Sequence, residues 1–224
     1  MNFFDTLQQS TEQSRQKLFS IPVIQDALRG DVSLEQYVAF LSQAYHHVKQ
    51  TAPLLMACGG RLNRNQVWLR TAIAEYIEEE IGHEEWILSD IEACGGDSEN
   101  VRHSHPQSAT ELMVAYAYHQ IDRENPVGFF GMVHVLEGTS TALATNAAAA
   151  IQNALGLPVQ AFSYLNSHGS LDLKHVRFFE GLMNQLDGES DKAAVIHCAR
   201  MVYQLYGDIF RSLPAKRPAM EWEV

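Results

Sequence analysis

Apolar residues recur every three to four positions through most of the chain, and alternating runs of β-branched residues are nearly absent. This pattern predicts an all-α fold, a bundle of about seven helices forming a single domain over 1–224, with its core at about 20–212. A first helix is expected at about 3–19, and a short one at about 22–29 closes at Gly30. Ser33 with Gln36 makes a capping box that opens a long helix to about residue 58, bent at Pro53 and stopped by Gly59 and Gly60. The next helix, at about 66–94, stops at Gly95 and Gly96. A polar loop rich in His, Ser and Pro follows, and a second capping box, Ser108 with Glu111, opens a helix that ends near Pro126. The last helices are expected at about 127–154, 159–186 and 190–213, with Gly156 and Pro158 separating the first two.

Composition narrows the partners. Sixteen Lys and Arg against 27 Asp and Glu give a formal net charge of −11, and no basic run occurs, which argues against nucleic acid or an anionic membrane. The start is polar and no stretch reaches the roughly 18 to 20 uninterrupted apolar residues of a membrane helix, so a soluble cytoplasmic protein is expected. Cys58, Cys94 and Cys198 are odd in number and lack CxxC spacing. They are expected as buried reduced thiols, not as disulfides or a thiolate zinc site.

Several polar residues fall where apolar ones are expected. Between Asn125 and Leu171 only Glu137 carries a charge. Its helix, GFFGMVHVLEGTSTALATNAAAA, reads as buried nearly all round, and a carboxylate there needs a cation or a metal. At about 100° per residue, Glu80 lies on the apolar stripe of Leu69, Ile73, Tyr76, Ile87 and Ile91, flanked on that side by His83 and Glu84. Glu78, Glu79 and Glu85 fall outside it, where a solvated face suffices. A Glu followed three residues later by an inward His is the pairing by which helical bundles offer carboxylate and imidazole to one metal ion.

On a later helix, His168, Asp172 and His175 share the side that carries Phe179 and Leu182. In QAYHHVKQTAPLL the stripe is Tyr37, Leu41, Ala44, Val48 and Leu55, which places His46 on the opposite, solvated side and lets His47 reach inward between Phe40 and Leu54. His103, His105, His119, His134 and His197 have no partner at useful helical spacing. Four long helices thus supply His47, then Glu80 and His83, then Glu137, then His168, Asp172 and His175. The mixture lacks thiolate and is too rich in nitrogen for calcium or magnesium, so it suits iron, with manganese as the alternative; seven ligands fit two bridged ions better than one structural zinc.

These residues resemble the heme-oxygenase-like diiron oxidases, within the superfamily of thiaminase II, pyrroloquinoline-quinone synthase and heme oxygenase. The resemblance covers about 20–212 and rests on YHHV, EEEIGHEEW followed by IEACG, the isolated Glu in VHVLEGTS, and HGSLDLKHV. It implies a heme-oxygenase-like bundle with two irons per chain. The ligands it implies are Glu80 and His83, Glu137, and His168, Asp172 and His175; His47 stands where the family commonly has Glu. It also implies dioxygen-dependent oxidation of a small amine, amino acid or fatty-acid-like substrate, and a homodimer as the assembly. Glu80, Glu137 and Asp172 would be the anionic ligands, with apolar walls from Phe129, Phe130, Tyr164 and Phe179. Other relatives match less well. Thiaminase II would require a nucleophilic Cys on the helix of Glu137, which has none, and heme oxygenase would require a heme-ligating His on the first helix, yet no His precedes His46. A ferritin-like bundle would need a second ExxH. A metal or small-ligand carrier without turnover remains the alternative reading.

Overall fold

In the computed structural model, residues 2–216 are described, apart from the side chains of 168–175. Helices α1 (Phe3–Phe19) and α2 (Pro22–Arg29) have the expected limits, and α2 closes at Gly30, whose φ of +73° is left-handed. Next come α3 (Leu34–Val48), α4 (Thr51–Arg61), α5 (Trp68–Glu80), α6 (His83–Ala93) and α7 (Ser98–His103). The chain ends with α8 (Ser108–Arg123), α9 (Phe130–Leu155), α10 (Ser163–Met183) and α11 (Glu189–Arg211), and no strand occurs among the described residues. Short 3-10 turns at Arg64–Gln66, Pro126–Phe129 and Val159–Phe162 join α4 to α5, α8 to α9 and α9 to α10.

Two of the long helices read from periodicity are split. The capping box of Ser33 and Gln36 forms at the start of α3. The break that follows falls at Lys49 and Gln50 and not at Pro53, which occupies the first turn of α4, where its missing N–H removes no helical bond. Gly59 and Gly60 lie inside α4 instead of ending it. The second split separates α5 from α6 at Ile81 and Gly82, where Gly82 takes a φ of +92° that an L side chain rarely adopts. The apolar stripe keeps its phase across this turn, so periodicity alone does not reveal it.

The capping box expected from Ser108 and Glu111 does not form, because the N-cap of α8 is Gln107. Gln43 of α3 takes over the task, its side-chain oxygen accepting from the Gln107 amide at 2.9 Å and the Thr110 hydroxyl at 2.7 Å. Helix α7 lies in the stretch read as a loop, and Asp97 caps it by accepting from the Asn100 amide.

Helix α9 is the spine. It packs against α10, α11 and α2, and α10 also contacts α6. Buried apolar side chains gather in two clusters, one around Leu54, Leu69, Phe130 and Val202, the other around Leu41, Ile87, Ile91 and Phe162. Asp90 of α6, fully buried, fixes the start of α10: its carboxylate accepts from the Ser163 amide at 3.0 Å, the Ser163 hydroxyl and the Tyr164 amide at 2.9 Å. Burial pushes this carboxyl up from the ordinary value while those three donors pull it down. Nothing local in the sequence marks Asp90 for this task, since its partners are 73 and 74 residues away.

Candidate functional site

Three helices bring polar side chains into one chamber. His47, one residue from the end of α3, Glu80, the last residue of α5, and Glu137 in α9 line a single cavity of about 90 Å³. The remaining wall is mostly apolar, with Leu54, Phe129, Met132, Val133 and Leu136 prominent. His47 is buried and meets the Tyr206 ring edge to face at 5.9 Å between centroids. Glu80 accepts at Oε2 opposite the Nδ1 of His83, 3.2 Å away, and the His83 ring stacks on Trp86 at 4.0 Å. The Glu-x-x-His pair therefore straddles the turn at Gly82 instead of riding on one continuous helix.

Tyr76 completes the chamber. Burial raises its phenol well above the ordinary value, and the negative charges of Glu137 and Glu80 raise it further. It is thus held as a neutral proton donor beside both carboxylates. By sequence alone Tyr76 is a marker of the apolar stripe. Its place four residues before Glu80 was the available signal, since i and i+4 share a helix face.

Glu137 also borders a second cavity on its other side, lined by Phe4, Gln8, His134, Val176 and Phe179. His134 is buried there among the rings of Phe4, Phe179 and Tyr203, with its Nε2 3.4 Å from the Thr11 hydroxyl. Burial first, then the charge of Arg15, lowers its pKa from 6.5 to about 4. A histidine depressed in the folded state contributes stability that is complete above the unfolded value and is lost as pH falls toward the folded one. His134→Phe should therefore be compared with the wild-type chain between pH 6.5 and 4, where urea titrations should show the wild type losing about 3 kcal/mol more than the variant. Parallel profiles would mean that His134 takes up no protons late.

Several expected surface positions hold and one does not. Glu78, Glu79 and Glu85 are exposed, and Arg102 forks onto Glu85 with bonds of 2.6 and 2.8 Å. His46, expected in solvent, is 2% exposed, with its Nε2 3.0 Å from the Ser104 hydroxyl. The wheel for α3 missed this because the cover comes from the segment after α7, far away in sequence. Burial first, with Lys49 and His105 adding, lowers the pKa of His46 to about 4. Cys58, Cys94 and Cys198 are buried free thiols, and none lines the chamber.

Of the expected walls, Phe129 and Tyr164 face the chamber, Phe179 lines the cavity beyond Glu137, and Phe130 packs against Phe179 in the core. His168, Asp172 and His175 fall on side chains outside the described residues. Their helix, α10, runs against both α9, which bears Glu137, and α6, which begins at His83. Among the described residues no three His, Cys, Asp or Glu side chains stand close enough to hold one metal ion. The donors present, carboxylates from Glu80 and Glu137 and imidazoles from His47 and His83, fit iron or manganese by type, with no thiolate among them.

The bundle is a heme-oxygenase-like, or TenA-like, fold. A domain of unknown function with a heme oxygenase-like fold from Shewanella denitrificans superposes with a TM-score of 0.84, 24% identity, and coverage of 94% of this chain and 91% of that one. A TenA homologue from P. horikoshii gives 0.77 at 12% identity, over 94% and 97% of the two chains. Heme oxygenase-1 from the cyanobacterium Synechocystis, in complex with heme, gives 0.73 at 12% identity, over 94% and 91%. Identities this low establish the fold alone. The family described as iron-containing redox enzyme matches residues 38–207, and the chain belongs to it. No curated protein matches the chain. No helix among the described residues is long and apolar enough to cross a membrane.

Proposed function

We propose that this protein is a non-heme diiron oxidase or oxygenase, using dioxygen to oxidise a small organic substrate. The reading is carried by the meeting of His47, Glu80 and Glu137, from three helices, in one chamber with largely apolar walls. Glu80, Glu137 and Asp172 would hold the metals as anionic ligands, and His47, His83, His168 and His175 would complete their shells, with manganese the alternative metal. Bound iron supplies the electrons that reduce dioxygen. The chain's own groups do the rest. Tyr76 holds a proton at its phenol oxygen beside Glu137, and the Glu80 carboxylate orients the His83 ring through Nδ1. Leu54, Phe129, Met132 and Leu136 limit water around the reacting groups. By extension, the chain works in the cytoplasm as a homodimer with a one-domain protomer.

A second reading is a small-ligand or metal carrier, or a TenA-like enzyme, on the same fold. It is favoured by the likeness to TenA homologues and by the lack of a three-donor group among the described residues. A thiol nucleophile on α9 is not available to it, since 130–155 contains no Cys. Ferrous iron added under nitrogen separates metal from non-metal readings. At a hundredfold excess over its dissociation constant it should raise the melting temperature by about 5 °C or more. An unchanged melting temperature at saturating iron would count against any metal centre.

A further inference from the structure

Helices α1 and α11 enclose a cleft of about 360 Å³ that shares no lining residue with the chamber among the described residues. The two helices run side by side in the same direction, since Arg200 reaches the Ser10 carbonyl and Gly207 lies against Ile21. Arg200, Gln204, Asp208 and Arg211, spaced by four, four and three, turn one face of α11 to the cleft. Ser14, Lys17 and Leu18 do the same from α1.

The chain carries a net charge of −11, yet this cleft gathers three cations against one carboxylate. Asp208 is used within the cluster, accepting from Arg211 at 2.7 Å, so two positive charges are left over. No carboxylate pairs with Lys17 or Arg200 among the described residues. Lys17 and Arg211 stand in the last turns of their helices, where a cation offsets the helix dipole without any ligand. Arg200 has no such task. It lies mid-helix, and its Nε and Nη2 both donate to the Ser10 carbonyl, at 3.0 and 2.9 Å, which fixes the guanidinium and leaves Nη1 without a partner among the described residues. Arg211 is placed by a glycine: a Cβ at Gly207 would come within 3.0 Å of its Nη1 and 3.4 Å of its Nη2, so the guanidinium uses the space that Gly207 leaves. Buried Leu18 and Tyr203 add apolar surface to the same lining.

We propose that this cleft is a binding site for an organic phosphate monoester, independent of any metal in the chamber. The phosphate dianion balances the two charges left over. Its three terminal oxygens accept from Lys17, Arg200 and Arg211 together, whereas a planar carboxylate is matched by a single guanidinium fork. Ser14 and Gln204 supply neutral donors beside them, and Leu18 and Tyr203 take the organic group out of water. The site is concave and held between two packed helices, which suits a small molecule better than the convex surface of an acidic protein.

The full chain, kept metal-free with a chelator, tests this without interference from phosphate bound to iron. Phenyl phosphate, titrated calorimetrically, should bind with a dissociation constant of about 1 mM or below. It should bind more tightly than inorganic phosphate, and more tightly than phthalate, a dianion of two carboxylates. Arg200→Ala and Lys17→Ala should each weaken it about tenfold or more. Arg123→Ala, which removes an equal charge from the exposed end of α8, should leave it unchanged. Lys17 is exposed and its side chain bonds to nothing among the described residues, so Lys17→Ala reads the site even if Arg200→Ala loosens α11 from α1. No detectable binding of phenyl phosphate at about 10 mM overturns the site, as do equal losses in Arg123→Ala and Lys17→Ala. Phthalate binding as tightly as phenyl phosphate overturns the choice of phosphate, and inorganic phosphate doing so overturns the organic group.

Discussion

Replacing Glu137 with alanine should weaken ferrous iron binding by more than about 100-fold, since altering even the groups that merely support metal ligands costs 10- to 100-fold. The carboxylate is the one charge between Asn125 and Leu171, and it faces the same chamber as Glu80 and His47. Glu80→Ala should have a comparable effect and should also release the His83 ring, whose Nδ1 it holds at 3.2 Å. Glu85→Ala, which removes one of the two surface carboxylates paired with Arg102, is the control and should leave iron binding unchanged. Anaerobic titration against a competing chelator measures all three. Equal losses in Glu85→Ala and Glu137→Ala would mean that the chamber is not where iron binds.

The largest expected effect on stability comes from Gly131. A Cβ placed there would lie 2.4 Å from the Val195 carbonyl oxygen, 2.6 Å from the Ala199 amide nitrogen and 2.9 Å from the Cys198 Cβ. These contacts are on the backbone and the stem of α11, so no flexible side-chain end can swing away, and α9 must move off α11. Gly131→Ala should therefore lower the free energy of unfolding by about 3 kcal/mol, the upper part of the usual cost of overpacking. Gly181→Ala offers the opposite sign. That site, inside α10, is exposed and has nothing within 4 Å of a Cβ, so the substitution should stabilise by about 1 kcal/mol. Urea midpoints measured at constant slope would read both. A neutral Gly131→Ala would show that α9 and α11 can part at no cost.

What the sequence disclosed depended on how local each signal was. The limits of α1 and α2 were legible because Gly30 stops α2 in the left-handed region. The family resemblance also rested on motifs that fall within the matched residues 38–207. The break at Gly82 was not legible, because one glycine can turn the backbone while the apolar stripe on either side stays in phase. Nor was the capping of α8 by Gln43, or the burial of His46 under Ser104, since both depend on residues brought in from 58 to 67 positions away. In the site itself, the inward turn of Glu80 followed from its stripe, and Glu137 stood out as a lone charge. Tyr76 went unnoticed because an aromatic on an apolar face is ordinarily core, and only the two carboxylates around it change its role.

Dioxygen uptake separates an oxidase from a carrier. The protein would be loaded under nitrogen with two ferrous ions per chain and mixed with oxygenated buffer in an electrode cell, alone and with amines, amino acids and aliphatic acids. Uptake should be faster than that of the same iron free in buffer, increased by the right substrate and abolished in Glu137→Ala. Uptake no faster than free iron under every condition would contradict the oxidase and leave the carrier.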